Sequence, residues 1–240
     1  MEDRKNMQQE IEKMQKQIDR LQAVLDIQNL MGRYETLLVP QTMERVAPET
    51  FAMWRPDVSM EVSDRGVYVG PEAVQTLFAK HMGTDNEPQI DGKPDLHGAL
   101  YLHHINTPMI EVAGDGQTAH AVWYSSGVET PFNVETGKRQ AKWCWGKYSV
   151  EFIRGDQGWR IWHMHWFRGF MNDYYSSWVD DYQNDAKAKR DPKQQLNIQP
   201  TTYHRPYDPT KDVLPVPRNP KPYETHVDSK WIYEDWLKEE

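Results

Sequence analysis

From residue 101 to about residue 170 the hydrophobic pattern of the chain has a period of two. Successive side chains of a strand point to opposite faces, so this is the pattern of extended chain with one buried face. Four runs carry it: "YLHHINTPMIEV", "QTAHAVWYSSGVE", "RQAKWCWGKYSVEFI" and "WRIWHMHWF". Between them stand "AGDG", "NVETGK" and "RGDQG", each rich in the residues that tight turns require. Four long strands joined by short turns are an antiparallel meander.

What precedes the meander is mostly helical. Met7, Ile11, Met14, Ile18, Leu21 and Leu25 are spaced 4, 3, 4, 3, 4, an a/d heptad seam among Glu, Lys, Gln and Arg. The spacing predicts a long helix that continues through "VLDIQNLMGRYETLL" to Pro40. "APETFAMWRPD" reads as a short helical piece. "VSMEVSDRGVYVG" reads as two short strands around a turn at Asp64–Gly66. "GPEAVQTLFAKHM" reads as a helix with Pro71 early and Ala73, Val74, Leu77 and Phe78 on one face. "GTDNEPQIDGKPDLHG" is polar, rich in Gly, Pro and Asp, and reads as a long loop of the kind that forms lids. Helix, short strands, helix and meander in that order make an α+β fold.

After the meander, "MNDYYSSWVDDYQNDAKAKR" reads as helical. Residues 191–240 then hold eight of the sixteen prolines, with Tyr203, Tyr207, Tyr223, Trp231, Tyr233 and Trp236 among them. Extended chain with regular aromatic anchors suits a tail lying across a surface. The divisions expected are 1–22, an amphipathic helical extension; 23–183, the α+β domain; and 184–240, the Pro-rich tail.

Composition excludes several classes of function. The net charge is −8, so nucleic acid and anionic membrane are poor partners. Cys144 is the single cysteine, which rules out a disulfide framework within the chain. The charged N-terminus is unlike a signal peptide, and no apolar run approaches a membrane span. A cytoplasmic protein is expected. No Gly-rich phosphate loop or dinucleotide fingerprint occurs, so no nucleotide or flavin cofactor is expected.

Four stretches together resemble the SnoaL-like branch of the nuclear-transport-factor-2-like superfamily. They are "IQNLMGRYETLL", "VGPEAVQTLF", "HHINTPMIEVAGDGQTAHAVWY" and "GKYSVEFIRGDQGWRIWHMHWF", covering roughly residues 25–170. The resemblance implies a curved antiparallel sheet wrapped on helices, a cone with a pocket at its open end. Similar families include scytalone dehydratase, bile-acid 7α-dehydratases, polyketide cyclases and lyases that remove formaldehyde from diarylpropanes. Other members only bind ligands or proteins, so the fold alone does not assign an activity.

The adjacent pair His103 and His104 is the focus of the candidate site. In the dehydratases a histidine precedes a hydrophobic–acid–hydrophobic strand end by a fixed distance. Counting back from Ile110-Glu111-Val112 reaches His103. Simple alternation from Ile110 and Val112 selects His104 instead. Pro108 lies between and cannot donate to the ladder, so a bulge there would reset the parity in favour of His103. Imidazole suits proton transfer near neutral pH. The resemblance further implies Glu35 as the carboxylate partner, although the scytalone dehydratase pattern has Tyr-Asp where this chain has Tyr34-Glu35. Tyr34 is a candidate oxyanion donor. On the strand "KWCWGKYSV", Cys144, Gly146 and Tyr148 share one face, and Trp143, Trp145 and Lys147 the other. Tyr148, Trp145 and, from the polar loop, His97 are the substrate-binding candidates. His163 and His165 have the strand spacing of a zinc pair, with His120 or His97 as a third ligand; the resembling lyases need no metal, and none is expected.

The combined reading is a cofactor-independent lyase on a hydrophobic, hydroxylated aromatic or polycyclic molecule, with a pocket histidine as general base. Dehydration and formaldehyde-releasing C–C cleavage need the same groups. The alternatives are a non-catalytic ligand-binding or assembly protein, and an isomerase or cyclase. The enzymes this chain resembles are often trimers, and both extensions suit contact with neighbouring subunits, so a homotrimer is expected.

Overall fold

The structure, a computed structural model, describes residues 2–63, 65–85, 87–182 and 198–227. Helix α1 (Glu2–Leu37) has two halves of different character. From Ala23 onward, Ile27, Leu30, Met31, Tyr34 and Leu37 form a buried stripe at helical spacing. Before that the helix projects, held by an ion pair of 2.6 Å between Arg20 and Glu111. The heptad seam faces solvent in the single chain, with Met7, Ile11, Met14, Ile18, Leu21 and Leu25 all 53–66% exposed. Two short helices follow, α2 (Val46–Thr50) and, beyond two strands, α3 (Pro71–Thr76), which widens into a π-helical turn at Leu77–Met82. Ala73, Val74, Leu77 and Phe78 are buried together, as their spacing predicts.

The two short strands are β1 (Ser59–Val62) and β2 (Val67–Val69). The polar loop is broken by a small ladder, β3 (Gln89–Ile90) on β4 (Lys93–Pro94), whose turn uses Gly92 at φ +73°. The meander is β5 (Tyr101–Val112), β6 (Thr118–Glu129), β9 (Lys142–Gly155) and β10 (Gly158–Asp173). A minor hairpin, β7 (Phe132–Asn133) and β8 (Lys138–Arg139), closes the "NVETGK" turn. With β11 (Ile198–Gln199) the sheet has seven strands in the order β11-β2-β1-β10-β9-β6-β5. The β1–β10 pair is parallel; the other pairs are antiparallel.

One expectation fails. Residues 171–173 continue β10, because β9 extends far enough to pair with them: Asp173 lies opposite Lys142. Turns follow to residue 182, where the sequence suggests helix; residues 183–190 lie outside the described ones.

The sheet has two working faces. The inner face packs on α1, α2 and α3 through Tyr34, Phe51, Phe78, Val150, Phe152 and Met164, all of which are at most 1% exposed. The outer face is crossed by the C-terminal segment 198–227. Thr202 donates to the buried Glu61 carboxylate from its backbone N–H and its hydroxyl, each at 2.7 Å. Tyr207 N–H donates to Gly169 O at 2.6 Å, and Gly114 N–H to Tyr223 O at 2.9 Å. The aromatic anchors Tyr203 and Tyr223 pack on Phe167 and His120; Trp231, Tyr233 and Trp236 lie outside the described residues. Among the described residues no helix is long and apolar enough to cross a membrane.

Candidate active site

The adjacent histidines are separated by the pleat, and a bulge decides which one turns inward. Asn106 pairs with Tyr124, but Met109 pairs with Val122, so Thr107 and Pro108 together face a single residue. Thr107 takes a positive φ of 48° to accommodate the extra residue. Parity changes there. Below the bulge Ile110 and Val112 face the core; above it Tyr101, His103 and Ile105 do. His104 is exposed and points away from the cavity.

His103 opens onto an inner-face cavity. Its wall is made of alternate residues of neighbouring strands: Tyr101 and His103 of β5, Glu129 of β6, Cys144 and Tyr148 of β9, Trp166, Arg168 and Met171 of β10. Tyr34 of α1, Leu38 just past its end, and Met60 and Val62 of β1 form the floor, with Arg65 and Met82 beside them. The enclosed space is small, about 50 Å³. A larger groove of about 980 Å³ lies on the outer face, between Trp145, Phe167 and Phe170 and the C-terminal segment. Its charges make surface contacts such as Lys211–Asp208 at 3.0 Å. The smaller cavity is where buried acids, an imidazole and phenols converge, so the candidate site is placed there.

His103 Nε2 lies 3.1 Å from Glu129 Oε1, and both side chains are largely buried. Burial works against the imidazolium, but the hydrogen bond and charge of Glu129, with the charge of Glu35, outweigh it and raise the His103 pKa. Burial also opposes the Glu129 carboxylate; His103, the Cys144 thiol and Arg65 more than compensate and lower its pKa. Glu35 sits differently. Neither of its oxygens makes a hydrogen bond among the described residues. Burial pushes its carboxyl up to about 7, against the charge of His103 and the hydroxyl of Tyr148. Tyr34 and Tyr148 meet edge to face with ring centroids 5.7 Å apart. Burial, then the Glu35 charge, raises both phenols above their ordinary range.

The His103 ring lies against Gly127, its direct cross-strand partner. A Cβ on Gly127 would overlap that ring. Gly127→Ala is therefore expected to displace the imidazole from Glu129 and to lower turnover about 100-fold, the cost typical of an ångström-scale misplacement. Circular dichroism and the melting temperature, measured alongside, separate this from global unfolding. Gly146 adds no space to the cavity: a Cβ there would stand 2.8 Å from Trp166 Nε1 and closer still to the Phe167 carbonyl oxygen.

Three other candidates fall outside the cavity. Trp145 points to the outer face and stacks on Phe170 at 5.9 Å, because its strand neighbours Cys144 and Gly146 take the inner face. His97 has a side chain 94% exposed and is held to Asp95. Glu35 is close enough for its charge to act on His103, but Glu129 makes the direct contact. His163 and His165 share the outer face without converging: His163 bonds Glu151, while His165 stacks on Phe167 and lies 3.4 Å from Glu61.

Glu129 is not apparent from the sequence, nor are Tyr101, Arg65 and Arg168. The β5–β6 register was the available signal for Glu129. Counted from "AGDG" with one extra residue at Pro108, it puts Gly127 opposite His103 and Glu129 one step along the same face. His103, Glu129 and Cys144 each bring a ligand atom within 4.8 Å of one another. Glu129 already accepts from the imidazole and the thiol, so this trio is charge-balanced as an acid–base cluster.

Comparisons with known proteins agree on the architecture. A family described as a SnoaL-like domain matches residues 19–165. A hexachlorocyclohexane dehydrochlorinase (LinA) type 2 superposes with a TM-score of 0.52 at 16% identity, covering 67% of this chain and 95% of that one. The type 3 enzyme of Novosphingobium barchaimii LL02 gives 0.51 at 17% identity, covering 67% and 96%. A proposed scytalone dehydratase of Novosphingobium aromaticivorans DSM 12444 gives 0.50 at 16% identity, covering 67% and 93%. No curated protein matches the sequence.

Proposed function

The chain belongs to the SnoaL-like domain family, and from that premise we propose that it is a cofactor-independent lyase acting on a small hydroxylated aromatic molecule. The observation that carries this reading is His103, held against Glu129 in a buried cavity that Tyr34 and Tyr148 also line. Nε2 is the ring nitrogen that faces Glu129, at 3.1 Å from Oε1, which leaves Nδ1 to meet a substrate. Nδ1 is the proposed base. Glu129 stabilises the imidazolium that forms, and the Tyr34–Tyr148 pair donates toward the oxygen that gains charge.

Two eliminations fit these groups. If Nδ1 takes a proton from carbon, the C–H electron pair forms a double bond, hydroxide leaves, and His103 returns the proton to make water. If it takes the proton of a primary alcohol, the adjacent C–C bond breaks and formaldehyde departs. The released pair then forms the double bond and expels a neighbouring hydroxide, again as water. The small cavity favours substrates of one or two rings over polycyclic ones. Met82 and Met171 in its wall are adaptable side chains that can make room.

The test is turnover. The purified protein, with and without chelator, is incubated with hydroxylated diarylpropanes, hydroxylated polyketides and 7-hydroxysteroids while absorbance and formaldehyde are followed. New conjugation with a diarylpropane or a smaller phenolic alcohol, undiminished by chelator, is expected. Saturable binding of one compound without turnover of any would favour a ligand-binding protein instead.

The exposed heptad seam supports assembly of several copies, and a homotrimer is proposed. Ile11→Asp with Ile18→Asp is expected to reduce the mass found by light scattering to that of one chain. An unchanged oligomer would show that the seam is not the interface.

A further inference from the structure

The outer face carries a second group of ionisable side chains, remote from the cavity and unused by the proposed chemistry. His120 of β6, Glu151 of β9 and His163 of β10 stand in one row across three adjacent strands, because the register pairs His120 with Glu151 and Glu151 with His163. His120 and Glu151 are only 6% and 4% exposed. The C-terminal segment brings a fourth member. Thr118 and Tyr223 hydrogen-bond through their hydroxyls at 3.0 Å, and Asp115 N–H donates to Glu224 O at 2.9 Å. Tyr223 stacks on the His120 ring at 4.3 Å, and His226 packs on Trp162 at 4.8 Å. One ligand atom each from His120, Glu151 and His226 then falls within 4.8 Å of the others.

We propose that His120, Glu151 and His226 form a zinc site that clamps the C-terminal segment to the sheet. The distances favour an ion over a plain hydrogen-bond network. Glu151 Oε2 is taken by His163 Nδ1 at 2.5 Å, while Oε1 stands 3.4 Å from His120 Nε2. That is long for an N–H···O bond. It is the edge expected of a tetrahedral zinc, where two ligands about 2.05 Å from the ion are about 3.4 Å apart. His226 Nδ1 is buried and makes no hydrogen bond among the described residues. Two imidazoles and one carboxylate suit zinc and leave a fourth position for water. His163 completes the arrangement as a positioning residue. Its Nε2 lies 3.1 Å from the Asp57 carbonyl and its Nδ1 bonds the free end of the carboxylate, fixing how Glu151 is presented.

Metal binding tests this directly. Untagged full-length protein is stripped with chelator, loaded with zinc, dialysed and analysed for metal content; cobalt is used in parallel as a spectroscopic probe. One zinc per chain is expected, with a rise in melting temperature and a tetrahedral cobalt spectrum lacking a thiolate band. His226→Ala lies in the surface segment and leaves the sheet intact; it should lower zinc affinity by about 100-fold or more and abolish the thermal shift. His163→Ala should weaken binding about 10–100-fold, as loss of an outer-shell partner does. Wild-type protein that retains no zinc overturns the proposal. So does zinc retained undiminished by His226→Ala, and a thiolate band would move the ion to Cys144 in the cavity.

Discussion

His103→Ala is expected to lower kcat by about 10²–10⁴-fold, the range that positioned general bases supply, while His104→Ala stays near wild type. The contrast between neighbours is the informative part. Both substitutions remove an imidazole from the same strand, but only His103 faces Glu129 and the phenols. Glu129→Gln should fall between them. It keeps a hydrogen-bond acceptor for the ring but removes the charge that stabilises the imidazolium. Its pH–rate profile should shift to lower pH, because Glu129 is what holds the His103 pKa up. A His104→Ala enzyme as impaired as His103→Ala would show that the pair acts through strand stability rather than by proton transfer.

Glu35→Gln is expected to stabilise the protein by about 3 kcal/mol at pH 8 and to change nothing at pH 4. The folded carboxyl titrates near 7 against an ordinary value of 4.5. One unit corresponds to about 1.4 kcal/mol. The folded state therefore binds a proton that the unfolded state has lost, and stability falls as pH rises between those two values. Above the folded value the full cost of a buried carboxylate is present; below 4.5 there is none. His103 adds a decline of the same sign, since its raised pKa contributes stability at low pH that is lost as pH rises through the folded value. Urea unfolding of both proteins at pH 4 and pH 8 measures the difference. Equal stability at pH 8 would mean that Glu35 carries no buried charge.

Much of the fold was readable because it is local. Alternation and turn residues mark each meander strand, and the stripe from Ala23 to Leu37 marks the buried half of α1. The inner positions of β9 followed from alternation alone, including Cys144 and Tyr148. What escaped depends on partners distant in sequence. "MNDYYSSWV" reads as helix by its sequence, yet its first three residues are strand because the far end of β9 is there to pair with them. Glu129 was invisible as a site residue until the register set it one pleat from Gly127. Trp145 looked like a ligand contact by its chemistry, but the pleat turns it outward. His120, Glu151, His163 and His226 come from four segments, and only the sheet register and the path of the C-terminal segment assemble them.

The bulge at Thr107–Pro108 has a second consequence, for solubility rather than chemistry. β5 is the last strand of the sheet and twelve residues long. A strand of that length at an open edge is a template on which another chain can add itself. Here the template is interrupted near its middle: Pro108 has no N–H to offer, and Thr107 turns the backbone out of the extended conformation. An incoming strand would find two short runs out of phase with each other instead of one continuous row of donors and acceptors. The kink that turns His103 inward also guards the sheet against edge-to-edge aggregation.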